Sequence, residues 1–135
     1  MSNYIKTYLL TFIIFMGIDF LWLGLIARSF YREQIGFIMK ENFNMGAAFI
    51  FYILFIVGLL FFVLNKAFAI ESWQYALFAG MFYGFITYAT YDITNLSTLK
   101  DWPLLLSIVD IAWGTVLCGL TSYLSYIISS YLNFF

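Results

Sequence analysis

The chain has 135 residues, of which 64% are hydrophobic and 10% charged, against roughly 45–50% and 25% in soluble domains; a water-soluble globular protein is excluded. Its 17 Phe, 11 Tyr and 4 Trp exceed what one small core hides, so much of the surface faces lipid or lines a lipid-like cavity. Six Lys and Arg against seven Asp and Glu, with no His and one Cys, exclude a nucleic-acid partner, zinc or haem ligation, disulfide frameworks and Ser-His or Cys-His catalysis.

After Lys6 an apolar run from Tyr8 to Ala27, broken only by Asp19, predicts a first membrane span over about residues 5–27, close to the roughly 20 residues that cross a hydrocarbon core as a helix. The internal acid and the lack of a small-x-small cleavage pattern before Arg28 distinguish it from a secretory signal, so it is expected in the mature protein. From Ser29 to Asn44, Arg32, Glu33, Lys40 and Glu41 alternate with Phe30, Tyr31, Ile35, Phe37 and Ile38, which suits a short interfacial helix. Span two is expected at about 46–64, opened by Asn44 as N-cap and closed before Asn65 and Lys66. Span three follows Glu71 and Ser72 and occupies 73–98, with a polar second half. Span four, 102–130, starts at Asp101-Trp102-Pro103, read as an N-cap acid and a first-turn proline.

The expected fold is therefore all-α: an integral membrane four-helix bundle forming a single membrane domain over 1–135. It is placed as a multi-pass protein of the bacterial cytoplasmic membrane, with both termini on one side, side A. Side B carries Arg28, Arg32, Lys40 and Lys100, against Lys6 and Lys66 on side A, and the positive-inside rule leans toward a cytoplasmic side B. Ala76, Gly80 and Gly84 recur every four residues on span three and are expected to admit a close helix. Gly17 and Gly24 are expected to do the same on span one. Trp73 and Trp102 are read as interface anchors.

Asp19, Asp92 and Asp110 lie inside spans, each costing roughly 2.5–3.5 kcal/mol near a helix centre on insertion scales. Each is eight or nine residues from the charge that ends its span, Arg28, Lys100 or Asp101, which places all three about 12–14 Å in from side B at the helical rise. No Lys or Arg occurs between Tyr8 and Ala27 or inside the other three spans, so internal salt bridges do not explain them. Clustered acids in a low dielectric stay partly protonated, hold a cation or open onto water. Thr87, Tyr91, Thr94, Asn95 and Thr98 form a stripe on span three, adjoined by Tyr88, Asp92 and Asn95, and this face is expected to avoid lipid. The alternative is that the threonines bond back to their own helix. Trp22 and Trp113 each follow an acid by three positions and, on antiparallel helices, are expected to flank the carboxylate layer from opposite depths.

The strings Asp19-Phe-Leu-Trp22-Leu-Gly24, Phe30-Tyr31, Tyr88-Ala-Thr-Tyr-Asp92-Ile-Thr-Asn95, Asp101-Trp102-Pro103 and Asp110-Ile-Ala-Trp113-Gly114 resemble a family of small bacterial membrane proteins, domain of unknown function 2177. The resemblance covers essentially the whole chain. It implies a four-helix membrane fold and no particular reaction.

Two classes of function fit these residues best. In the first, Asp19, Asp92 and Asp110, with Asn95, Tyr88, Tyr91, Trp22 and Trp113, bind or transport a proton, a cation or a cationic, amphiphilic small molecule. In the second, one aspartic acid serves as general acid and another as base on a lipid or isoprenoid, in isomerase- or cyclase-type chemistry. A structural or assembly subunit is the third option. No cofactor is expected; a metal, if one binds, would take the three aspartates. Membrane lipids are the expected partners, and a homodimer is compatible with the size.

Overall fold

The computed structural model describes residues 2–135, which are helical almost throughout, with no strand among the described residues. Four long helices alternate in direction. Helix α1 is Ser2–Ile26, α3 is Met45–Ala69, α4 is Trp73–Thr98 and α5 is Leu104–Tyr131; the short α2, Arg28–Ile35, continues into one 3-10 turn over Gly36–Ile38. Three of the long helices, α1, α3 and α5, are long and apolar enough to cross a membrane. The fourth, α4, has 26 residues and a second half rich in Thr, Asp and Asn.

Side-chain caps set two starts. The Asn44 carboxamide accepts from the Ala47 amide at 3.0 Å, and the Ser72 hydroxyl from the Tyr75 amide at 3.0 Å, each satisfying an orphan first-turn donor. The start of α5 differs from the sequence expectation. Asp101 adopts φ 62° and makes the turn, while Pro103 occupies the cap position, its carbonyl accepting from the Ser107 amide. The expected close of span two before Asn65 is also corrected, because the helix runs on to Ala69. Its last turns bury Leu64 and Ala67 against Ala76, so packing carries the helix past two polar residues.

Two helices contain single π segments, Trp22–Ile26 in α1 and Leu60–Leu64 in α3. Such an inserted residue rotates the downstream turns by roughly 100° relative to the preceding ones. Helix α5 is central, packed on α4 along most of its length and on α1. The approach of α4 depends on small residues. A Cβ on Gly80 would meet Ser122 and the Cys118 carbonyl, one on Gly84 the Gly114 carbonyl, and one on Gly114 the Tyr88 ring. Gly17 and Gly24 do not act this way: a Cβ at either meets nothing within 4 Å, since both are on exposed faces.

Helix α3 is tied to α4 at mid-length by the Tyr83 hydroxyl, which passes over Gly58 to donate to the Phe55 carbonyl at 2.9 Å. The two helices also pack along Leu60–Ala69 and part toward the end that carries Lys40 and Lys100, the B end. A core of Phe15, Phe55, Ile56, Leu59, Val63, Leu117 and Cys118 fills the centre. Outside it, large apolar side chains such as Ile13, Phe20, Phe61, Phe82 and Ile108 are exposed, a surface that lipid satisfies and water does not.

Candidate functional site

Where α3 and α4 part, a cavity of about 690 Å³ opens in the B half of the molecule. All three aspartates line it: Asp19 from α1, Asp92 from α4 and Asp110 from α5. The rest of the wall is apolar and aromatic, with Phe51, Tyr52, Phe55, Tyr88, Trp102 and Trp113 prominent, and no Lys or Arg is among its lining residues.

The three carboxylates have different surroundings. Asp19 uses both oxygens: one accepts from the Trp113 indole at 3.3 Å, the other from the Tyr52 hydroxyl at 3.0 Å. Asp110 accepts from the Tyr31 hydroxyl at 2.6 Å, and that hydroxyl accepts from the Trp22 indole at 3.1 Å. Burial, then the neighbouring Asp110, push the Tyr31 phenol above its usual range, so it remains a donor at physiological pH. Asp92 is 0% exposed, and neither of its oxygens has a donor. Asp110 lines the same cavity.

Trp22 and Trp113 are corrected. They do not flank the acids from opposite depths but stack on one another, centroids 4.4 Å apart and planes at 9°. The end of α1 from Trp22 is the π segment; Asp19 faces Trp113, while Asp110 faces Trp22 through Tyr31. Trp102 is corrected too. It is 8% exposed, donates to the Ser107 hydroxyl at 2.9 Å and lines the cavity. Trp73 is exposed.

The polar stripe of α4 divides. Thr87, Tyr88, Tyr91 and Asp92 reach the cavity, whereas Thr94 and Thr98 are exposed and Asn95 is not on its wall. The threonine hydroxyls bond back to their own helix: Thr87 to Tyr83, Thr94 to Thr90, Thr98 to Thr94. That satisfies them without any neighbour, so this face does not need to avoid lipid. Among the described residues no three acidic or thiol side chains converge closely enough to hold a metal ion, and the geometry does not fit the three-aspartate metal option. Tyr31 and Tyr52 are site residues that sequence reasoning missed. An isolated Tyr in an apolar or interfacial segment carries no signal of the acid it reaches.

A family profile described as predicted membrane protein (DUF2177) matches residues 4–127. No curated protein and no solved structure matches the chain.

Proposed function

Since the chain belongs to the DUF2177 family of predicted membrane proteins, we propose that it is a multi-pass protein of the bacterial cytoplasmic membrane whose intramembrane carboxylate site binds or transports a proton, a cation or a cationic amphiphile. In this reading α4 is the fourth span beside α1, α3 and α5, both termini share one side, and α2 lies in the interface. The observation that carries it is Asp92, fully buried, with both oxygens free of donors, on the wall of a cavity it shares with two further acids. An ionised carboxylate so placed is costly without a partner. Aromatic walls add attraction for a cation, and a volume of about 690 Å³ lies within the range of small-molecule sites.

Native mass spectrometry of gently extracted protein tests this. The expected result is an organic cation that leaves the spectrum in Asp92→Asn, with the variant melting at or above the parent temperature, because the amide removes a buried acid while keeping its shape. A parent protein that carries no such mass and takes up none from added hydrophobic cations would refute the reading. So would an Asp92→Asn protein that binds unchanged.

The placing of three carboxyl groups on one cavity wall favours a second reading, acid–base catalysis on a lipid or isoprenoid, with one aspartic acid as general acid and another as base. It requires a lipid whose chromatographic retention changes on incubation with the native protein and not with Asp110→Asn.

A further inference from the structure

Helix α1 does not run straight into α2. Its last turn is the π segment Trp22–Ile26, and Ala27, at φ −109° and ψ 4°, breaks the helix before Arg28 begins the next one. In this elbow lies a second cavity, of about 280 Å³, lined by Gly24, Leu25 and Ile26 from α1 and by Arg28, Ser29 and Arg32 from α2. We propose that the elbow is a binding site for the head-group phosphate of an anionic phospholipid, whose acyl chains lie along Leu25 and Ile26. This rests on the placing of α2 in the interface proposed above, and not on what the carboxylate cavity binds.

The wall is built of donors. Arg28 and Arg32 are four residues apart, so both rise from one side of α2, and a guanidinium presents a planar fork that matches phosphate oxygens two at a time. Ser29 adds a hydroxyl. Helix α2 has no side-chain cap, and the amides of Arg28, Ser29 and Phe30 reach no backbone carbonyl among the described residues, so the positive end of the helix is left for an outside anion. No Asp or Glu lines the cavity, Glu33 included. A phosphate therefore meets no opposing carboxylate there, and the ammonium of a zwitterionic head group finds none to pair with. The neighbours favour a lipid over free phosphate. Leu25 is 78% exposed and Ile26 68%, and both border the cavity, so a ligand with hydrocarbon beside its phosphate covers apolar surface that the free ion leaves bare. Tyr31 and Ile35, on the adjoining face of α2, line the carboxylate cavity instead, so the two cavities are served by separate side chains of one helix.

The test is native mass spectrometry of the full-length protein in detergent, with phosphatidylglycerol or phosphatidylcholine of the same acyl chains added. The expected result is one phosphatidylglycerol retained in preference to phosphatidylcholine by about tenfold or more, the factor that one charge-assisted hydrogen bond supplies. Arg28→Gln combined with Arg32→Gln is expected to abolish that preference. Gly24→Leu keeps both charges and, since a Cβ at Gly24 meets nothing within 4 Å, fills the cavity without disturbing the packing; it is expected to lose the preference as well. Equal retention of the two lipids by the native protein overturns the proposal. So does a preference that survives the double substitution, which puts the lipid elsewhere, or one that survives Gly24→Leu, which reduces it to attraction by surface charge. Displacement of the lipid by inorganic phosphate at equal concentration marks a soluble-anion site and overturns the lipid assignment. The native comparison and Gly24→Leu decide the matter if the double variant fails to fold. None of these substitutions touches an aspartate, so failure here and failure of the carboxylate-site reading are told apart.

Discussion

An indole N–H can only donate, so Trp113 acts on Asp19 in one direction: it offsets hydration that the carboxylate has given up. Replacing it leaves a buried acceptor short of a donor, which costs about 1–3 kcal/mol. Trp113→Phe is accordingly expected to lower thermal stability in detergent by that amount, whereas Trp73→Phe, at an exposed ring that packs edge-on to Tyr123, should change it little. Equal melting temperatures for the two variants would show that the indole nitrogen has no structural role. At this scale the acids were legible, since a carboxylate inside an apolar run stands out and its depth can be counted from the nearest charge. Their partners were not. Tyr52 meets Asp19 across 33 residues and Tyr31 meets Asp110 across 79, and nothing local distinguishes those tyrosines from the other nine. Trp102 was misread for a related reason: adjacency to Asp101 suggests an interface, and only the turn at Asp101 shows that the ring folds inward.

At the scale of elements, glycine separates packing from mere tolerance. Gly84 sits against the Gly114 backbone, so Gly84→Leu drives α4 and α5 apart and is expected to destabilise the fold by about 1–3 kcal/mol or more through overpacking. Gly17 faces open space, and Gly17→Ala is expected to be neutral or to stabilise by up to about 1 kcal/mol through helix propensity. Chemical denaturation of the two variants followed by circular dichroism checks both, and a loss of stability at Gly17 would mean that a second surface packs there. Helix starts were readable at Asn44 and Ser72 because a side-chain cap is a local device. The π segments were not, because an extra residue in a turn leaves no mark on hydropathy; with them went the correct facing of Trp22. The span-four start failed because a left-handed Asp in a turn and an N-cap Asp look alike in sequence.

For the whole molecule, the decisive shape is the divergence of α3 from α4, which leaves the cavity open on the side of the bundle. A nitroxide on Ile86→Cys in a Cys118→Ala background is expected to collide readily with lipid-dissolved oxygen and to be shielded when tetraphenylphosphonium is added. Low oxygen access without the cation would mean that the mouth is closed to the bilayer. That a cavity exists here was not readable from the chain, since it arises where two apolar helices fail to touch. The cross-pairing of α1 with α5 bears on how the molecule is made. Asp19 is made with the first helix, yet the indole that serves one of its oxygens arrives 94 residues later. During synthesis Tyr52 emerges early enough to serve one Asp19 oxygen, while the other has no donor until the last helix is made. The chain closes around its own beginning only at the end, and a product cut short before Trp113 lacks one of the two donors that the buried acid uses.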